Sequence, residues 1–223
     1  ISPTYKNRYH VTKEELNSDL SIGHAQCLKF NPKHTTSTDL LPFRLLNVYL
    51  PTGENITNKR TNHLKYLINI PNDIHLITGG DYNFVEYSDD TTGNFDQNYH
   101  ELSGEALTLW DKFINKHKLW EIAQDTHTQY AINKIKPNKS RTSRIDRFYI
   151  SHNEADNTLY TPHTHVTNTK HSILNYIHKR YNPSDNTQDS QTHLGTHAAL
   201  TLSFNDTTNI NKHTTYKIPP WTR

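Results

Sequence analysis

The stretch Leu76-Ile77-Thr78-Gly79-Gly80-Asp81-Tyr82-Asn83 decides which fold the sequence predicts. Residues 74–77 are largely apolar and predict a buried strand, which stops at two glycines and is followed by a carboxylate and an amide. Glycines let a ligand approach the backbone closely, and open α/β sheets bind ligands at strand ends. We therefore expect Asp81 and Asn83 to form a polar site on a turn at a sheet edge. A plain turn explains this stretch equally well, so other parts of the chain have to decide.

Composition and charge limit the function classes. The 223 residues could form one large domain or two small ones, and one domain is the simpler expectation. Only 32% of the residues are hydrophobic and the mean hydropathy is −0.88, which predicts long polar loops around a modest core. The formal net charge of +2 is mild, so any nucleic-acid binding requires a local basic surface.

Cysteine usage and hydropathy indicate the compartment. The single cysteine, Cys27, excludes an internal disulfide framework, and its apolar neighbours predict a buried thiol. No apolar run approaches the roughly 18 residues that cross a bilayer, and no N-terminal segment resembles a signal peptide. We expect a soluble, intracellular protein without a membrane partner.

The order of elements predicts an α/β protein. Strands are expected at residues 24–30 and 43–50, as an antiparallel pair, followed by a helix at residues 60–70 and the central strand. Residues 12–20 match a short capped helix. A second helix is expected after Ser103 with Trp110 in the core, then strands at residues 145–151, 161–168 and 198–204. Residues 170–181 are expected to form a basic helix, and residues 1–204 one domain followed by a linker at 205–223.

Three other strand ends carry polar groups. Tyr49 lies on a strand that stops at a proline, Asp146 lies between two arginines at the start of a strand, and His197 precedes the last strand. Together with Asp81 and Asn83 they predict a phosphate-cleaving site. In it, His197 meets charge on a phosphoryl oxygen, Asp146 holds the histidine tautomer and raises its pKa, and Asp81 takes a proton from water. Asn83 and Tyr49 position the nucleophile and the phosphate.

The order of these motifs resembles the endonuclease/exonuclease/phosphatase superfamily, which includes DNase I and the apurinic/apyrimidinic (AP) endonucleases. The matching runs are Asn47-Val48-Tyr49-Leu50-Pro51, Gly79-Gly80-Asp81-Tyr82-Asn83, Ser143-Arg144-Ile145-Asp146-Arg147 and Thr196-His197-Ala198-Ala199-Leu200. Residues 143–151 and the Trp221-containing tail are most similar to the endonuclease domain of LINE-type (non-LTR) retrotransposon polyproteins, in which a reverse transcriptase follows the nuclease. The resemblance spans residues 23–204.

The resemblance implies a four-layer α/β sandwich, with two mixed sheets flanked by helices, and hydrolysis of DNA phosphodiesters with Mg²⁺ or Mn²⁺. It implies that Asp81 activates water and, with Asn83, binds the metal, that Tyr49 contacts the phosphate, and that Asp146 and His197 form a pair. It also places Ser143 and Arg144 near the DNA-binding face. The basic run before them adds Arg141 as a phosphate contact and Tyr130 as a stacking residue, although a solvated loop explains this run equally well.

Two departures from the family pattern leave alternatives open. The family has an Asp directly before the final His, where this chain has Thr196, and a hydroxyl is a poor substitute for a carboxylate near a hard cation. The family also has an Asn and a metal-binding Glu on earlier strands, but only 48 residues precede Tyr49 and the chain has no Met. We therefore expect the first strands to be missing. The expected function is a DNA endonuclease of a retroelement, nuclear and impaired by these departures.

Three other functions are weaker expectations. One is an inactive remnant that at most binds DNA, which Thr196 and the missing Glu favour, and another is a phosphatase of the same superfamily. The third is a zinc cluster formed by His163, His165 and His171 among the sixteen histidines. No cysteine lies near these three, so solvated loop histidines are the better explanation.

Overall fold

The computed structural model describes residues 7–16, 24–33, 41–53, 55–92, 102, 104–124, 127–131, 141–151, 160–166, 197 and 200–206. In this part of the chain two α-helices and one short 3₁₀ helix (Ser88–Asp90) accompany eleven strands, which form three sheets. The helices are α1 (Ile56–Leu67) and α2 (Gly104–His117). The strands are β1 (Tyr9–Glu14), β2 (Ala25–Pro32), β3 (Phe43–Tyr49), β4 (His75–Asp81), β5 (Thr91–Thr92), β6 (Leu119–Glu121), β7 (Gln129–Ala131), β8 (Arg141–Ser143), β9 (Asp146–Ser151), β10 (Tyr160–Val166) and β11 (Leu200–Asp206).

A six-stranded mixed sheet forms the centre of the molecule, with the strand order β1-β2-β3-β4-β9-β6. β3 and β4 are parallel, and every other neighbouring pair is antiparallel. Helix α1 connects the two parallel strands, as a crossover connection requires. The expected antiparallel pairing of β2 with β3 is confirmed. Because β3 and β4 run in the same direction, their carboxyl ends meet at one edge of the sheet.

The core lies between this sheet and the two helices. Leu46 and Leu76 of the sheet pack in one buried cluster with Leu64 of α1 and Phe113 of α2. The expected core position of Trp110 is confirmed, since it packs edge-on against Tyr82, Phe84 and Tyr149. Cys27 is fully buried, as its apolar neighbours predict. Alternating strand residues and one helix face therefore supply the core.

Two smaller sheets complete the described structure. β5, β8 and β7 form a three-stranded antiparallel sheet, and β10 pairs with β11. His197 makes an isolated antiparallel bridge with Gln129 of β7. This bridge brings the segment before β11 to the same side of the molecule as the start of β9. No helix among the described residues has the length and apolarity needed to cross a membrane.

The central strand continues further than the sequence suggests. β4 passes through both glycines and ends at Asp81, so that only Asn83 lies on the turn. Both glycines are required by close approach of neighbouring strands. A Cβ on Gly79 would lie 2.2 Å from the Phe148 ring, and one on Gly80 would lie 1.9 Å from the Val48 carbonyl oxygen. The glycines therefore permit tight pairing and do not end the strand.

Other expectations need correction or lie outside the described residues. The helix expected at residues 12–20 is absent from residues 12–16, because residues up to Glu14 belong to β1 and pair with β2, and residues 17–20 lie outside the described part of the chain. α1 begins at Ile56, four residues earlier than expected. The Ser103 cap, the basic helix at 170–181 and the tail beyond residue 206 lie outside the described residues.

Candidate active site

Neighbouring strands place three predicted site residues side by side. Tyr49 at the end of β3 is the register partner of Asp81 at the end of β4. Asp81 is in turn the partner of Asp146, the first residue of β9. Because β9 runs antiparallel to β4, its beginning meets the end of β4. The sheet therefore brings a phenol and two carboxylates from distant parts of the sequence to one edge.

His197 completes this group. Its Nδ1 lies 2.9 Å from Oδ2 of Asp146, and ligand atoms of Asp81, Asp146 and His197 all lie within 4.8 Å of one another. The Thr128 hydroxyl helps to hold Asp146 in place by accepting a hydrogen bond of 3.2 Å from the Asp146 backbone N–H. The predicted pairing of Asp146 with His197 is thus present in the structure. We call Asp81, Asp146 and His197 the carboxylate–histidine cluster.

Asn83 fastens the turn after β4. Its φ of 53° is in the left-handed region, which Asn tolerates well. Its backbone N–H donates to Oδ1 of Asp81 at 2.9 Å, and its side-chain Nδ2 donates to the Leu50 carbonyl at 2.8 Å. The buried Arg60 guanidinium donates to the carbonyls of Asn83 and, at 3.2 Å, Pro51. Asn83 thus orients Asp81, and the contribution of Arg60 is not visible in the sequence.

Electrostatics sets the protonation of the cluster. Burial and the nearby charge of Asp146 raise the pKa of Asp81 to about 6, although His197 and hydrogen bonds from Asn83 oppose the shift. The hydrogen bond to Asp146 raises the pKa of His197 against the effect of its burial. Asp81 is therefore a carboxylate that binds a proton more readily than usual, beside an imidazole that tends to be charged. This combination suits acid–base chemistry near neutral pH.

The donor set also fits a divalent cation. Asp81 and Asp146 offer carboxylate oxygens, which Mg²⁺ and Mn²⁺ prefer as ligands. Two carboxylates this close, one of them largely buried, repel each other when both are ionised, and a cation between them removes that cost. The resemblance predicts Asn83 as the partner of Asp81 in metal binding. The structure places Asp146 beside Asp81, while the Asn83 amide nitrogen is bound to Leu50.

Tyr49 lies at the exposed end of the row. It is 41% exposed, and its backbone N–H donates to the His24 carbonyl at 2.8 Å. The His24 ring stacks on the Tyr49 ring with the centroids 5.8 Å apart. The phenol is therefore held in place while remaining accessible to a ligand.

The residues predicted to contact DNA are placed differently. Ser143 is fully buried, and Arg144 donates to Asp90 at 2.8 and 2.5 Å and also to Glu121. The Ser143 hydroxyl is buried and the Arg144 guanidinium is held by two carboxylates, so neither is free in this arrangement, and their place near the DNA-binding face stays a prediction. The backbones of Tyr130 and Arg141 lie in β7 and β8, but their side chains, like Thr196, lie outside the described residues.

A buried ion network directly behind Asp146 was not foreseen. It consists of Arg144 and Arg147 with Glu86, Asp90 and Glu121. Arg147 is fully buried and donates to Oδ2 of Asp90 at 3.2 Å and to the Phe84 carbonyl at 2.8 Å. The sequence does contain one signal, because an arginine inside an apolar strand requires buried acceptors. It does not reveal that those acceptors lie about 60 residues earlier.

Comparison with known proteins identifies the fold. The sequence matches no protein-family model and no curated protein. Among solved structures, an AP endonuclease from Archaeoglobus fulgidus aligns with a TM-score of 0.51 at 12% identity, over 90% of this chain and 80% of that one. The chain has the fold of this AP endonuclease. The expected α/β sandwich of mixed sheets and flanking helices is thereby confirmed.

Two further structures align less well. D. rerio TDP2 complexed with a single-strand DNA product gives a TM-score of 0.44 at 13% identity, over 90% of this chain and 70% of that one. A humanized D. rerio TDP2 carrying 14 mutations gives 0.45 at 13% identity, over 90% and 69%. These similarities are weaker than that to the AP endonuclease, and the site has to be interpreted from its own geometry.

Proposed function

We propose that this chain is a divalent-metal-dependent phosphodiesterase that cleaves DNA. One observation carries the proposal: the carboxylate–histidine cluster and Tyr49 converge at one sheet edge of a fold shared with an AP endonuclease. Strand register alone brings Tyr49, Asp81 and Asp146 together, so their proximity does not depend on a loop. A structural role for this group is a poor explanation, because two close carboxylates destabilise a fold unless a proton or cation lies between them.

The residues divide the chemistry among themselves. Asp81, with its pKa raised to about 6, takes the proton from the attacking water. The water oxygen bonds to phosphorus as the bond to the leaving oxygen breaks. His197, held by Asp146, donates a hydrogen bond to the charge that develops on a phosphoryl oxygen, and Tyr49 contacts the phosphate. Mg²⁺ or Mn²⁺, held by Asp81 together with Asn83 or Asp146, supplies further stabilisation of the phosphate charge when it is bound.

The finer part of the proposal is that the chain belongs to a LINE-type retroelement. Its support is the run Ser143-Arg144-Ile145-Asp146-Arg147-Phe148-Tyr149-Ile150-Ser151, which resembles the endonuclease domain of such polyproteins. On this proposal the substrate is nuclear DNA, and a reverse transcriptase domain belongs to the same polyprotein. Thr196 favours a second candidate, an inactive domain that binds DNA without cleaving it, because the family has a carboxylate at this position.

Nicking of a supercoiled plasmid with Mg²⁺ or Mn²⁺ tests both candidates. The parent chain is compared with His197→Ala, with Thr196→Asp and with His10→Ala, which changes an exposed histidine on β1. We expect nicking by the parent and by His10→Ala, none by His197→Ala, and faster nicking by Thr196→Asp. Undiminished nicking by His197→Ala would overturn the site assignment. If none of the four folded proteins nicks DNA but all of them shift it in a gel, the second candidate is correct.

A further inference from the structure

Two histidines beside Tyr49 form a pair that the proposed reaction does not use. His24 directly precedes β2, and His63 lies on α1. Their ring centroids are 4.7 Å apart, with the planes inclined at 74°. Since His24 also stacks on Tyr49, the pair lies at the end of the row that contains Asp81.

Each ring has a nitrogen without a partner among the described residues. His24 Nδ1 and His63 Nε2 are both shielded from solvent, and neither forms a hydrogen bond within the part of the chain that the structure describes. An unsatisfied buried polar atom is unfavourable, and a bound ion or water is one of the explanations for such an atom in a native protein. Two of them on adjacent rings indicate one shared ligand more readily than two independent defects.

The hydrogen bond on the other side of His63 determines its tautomer. His63 Nδ1 lies 2.7 Å from the Lys59 carbonyl oxygen. A carbonyl only accepts hydrogen bonds, so Nδ1 carries the proton and Nε2 presents its lone pair. Metal-binding histidines commonly donate their second ring N–H to a backbone carbonyl in this way. Burial and the neighbouring His24 also lower the pKa of His63, which keeps the ring neutral and the lone pair available at neutral pH.

We propose that His24 Nδ1 and His63 Nε2 bind one nitrogen-preferring divalent cation such as Zn²⁺. Imidazole is a good ligand for Zn²⁺, whereas Mg²⁺ takes oxygen ligands and requires near-octahedral geometry. This site is therefore chemically distinct from the oxygen-rich pair Asp81 and Asp146. Two protein ligands leave coordination positions for water or for a phosphate oxygen, and Tyr49 lies beside them.

Calorimetric titration with Zn²⁺ tests the proposal on the full chain. All proteins carry His197→Ala, which takes the imidazole out of the one group of three possible metal ligands found among the described residues. We expect the parent to bind one equivalent of Zn²⁺. The affinity for this equivalent should fall by at least about tenfold in His24→Gln and in His63→Gln, because even an outer-shell change costs about 10–100-fold in affinity. His10→Gln, the matched control on an exposed strand residue, should bind like the parent. Mg²⁺ should not compete.

Several outcomes would overturn the proposal. Equal zinc binding by the parent and both glutamine variants would place the ion elsewhere on the chain, and no binding by the parent would remove the site altogether. A second measurement covers variants that fail to fold. In the parent, Zn²⁺ should shift the ¹⁵N resonances of His24 Nδ1 and His63 Nε2, and unchanged resonances at both would be decisive against the site. Neither measurement depends on DNA cleavage, so the nuclease proposal and this one succeed or fail separately.

Discussion

Two groups of charged residues lie on opposite faces of strand β9. Comparing them shows which charged residues stabilise the fold and which are available for the reaction. Asp146 belongs to the carboxylate–histidine cluster at the sheet edge, whereas Arg147, its neighbour in sequence, is fully buried in the ion network. Successive strand residues point to opposite faces, so a single step along the chain passes from one group to the other. The network sets two guanidinium groups against three carboxylates, whereas the described cluster has a single imidazole against two.

Two aspartates show what this difference does. Burial raises the pKa of Asp90, but the charges of Arg147 and Arg144 outweigh it and leave that pKa below its ordinary value. Burial raises the pKa of Asp81 as well, and there the neighbouring charge of Asp146 adds to the increase. For these two aspartates burial acts in the same direction, and the neighbouring charge makes the difference. Charge does not always prevail, because burial raises the pKa of Glu121 in the same network to about 7 although Arg147 and Arg144 oppose it.

The largest expected effect is on cleavage. Asp146→Ala removes the carboxylate that holds His197, and we expect nicking to fall by about 10²–10⁴-fold, the range typical of positioned acid–base groups. The free energy of unfolding should change by less than about 1 kcal/mol, because the variant also removes the repulsion from Asp81. Nicking rates and urea unfolding of the same preparation measure both. A large loss of stability without loss of nicking would assign Asp146 to the fold instead of the site.

The next largest effect is the reverse, a loss of stability caused by Arg147→Met. Removing Arg147 takes away the cation that pairs with Glu86 and leaves Asp90 with Arg144 alone, and we expect a cost of about 3–5 kcal/mol in urea unfolding. Lys65→Met is the matched control, since Lys65 forms an exposed pair with Glu105 that should contribute less than about 1 kcal/mol. Equal costs for the two variants would show that the network contributes little to stability.

The sequence predicts the site better than it predicts the network. Asp81, Asp146 and His197 each lie at or just before a strand, and strand ends can be located from apolar runs and glycines. Their convergence into one site is predicted from the polar groups at the strand ends and from the resemblance, whereas no local pattern specifies which strands pair. The network was missed for the same reason. An arginine at position 147, in an apolar strand, predicts buried hydrogen-bond acceptors. Glu86 and Asp90, which supply them, lie in a polar segment whose position is set only by tertiary packing.

The incorrect predictions of secondary structure have a similar origin. The sequence predicts a helix at residues 12–20, which overlaps the end of β1, because this stretch lacks a clear alternation and includes a capping-box pattern. Pairing with β2 overrides that local preference. The end of β4 was placed too early because glycine usually ends a strand, whereas here Gly79 and Gly80 make room for Phe148 and the Val48 backbone.

A smaller effect is expected in the pH dependence of stability, where Asp81 and Asp90 should act in opposite directions. The pKa of Asp81 in the folded state is about 6, above its ordinary value of 3.8, so the folded state holds this proton more tightly. Stability is therefore greatest below the unfolded pKa and declines as the pH rises through about 6, by about 2–3 kcal/mol in all. Asp81→Asn should abolish this decline. Urea unfolding in EDTA from pH 3 to 8 measures it.

Asp90→Asn provides the opposite case in the same experiment. Because the pKa of Asp90 is lowered, its contribution is present above the unfolded pKa and is lost as the pH falls through the folded pKa. The variant should be destabilised at neutral pH and should approach the parent in acid. If both variants changed stability in the same direction across the pH range, the contrast between the two regions would be wrong.

The smallest expected effect concerns Thr128, which hydrogen-bonds to the backbones of Asp146 and Ser143. Its fully buried hydroxyl accepts the hydrogen bond from the Asp146 backbone N–H, next to Ser143 of β8. Thr128→Val should cost about 1 kcal/mol, the usual net contribution of one hydrogen bond, and Thr128→Ser should cost less because it keeps the hydroxyl. Nicking should fall by less than about tenfold, a change of about 1.4 kcal/mol in the barrier, since strand pairing and His197 still hold Asp146. A loss of nicking as large as that of Asp146→Ala, with stability intact, would mean that this hydroxyl acts in the reaction. Thr128 would then belong to the active site and not to the scaffold that supports it.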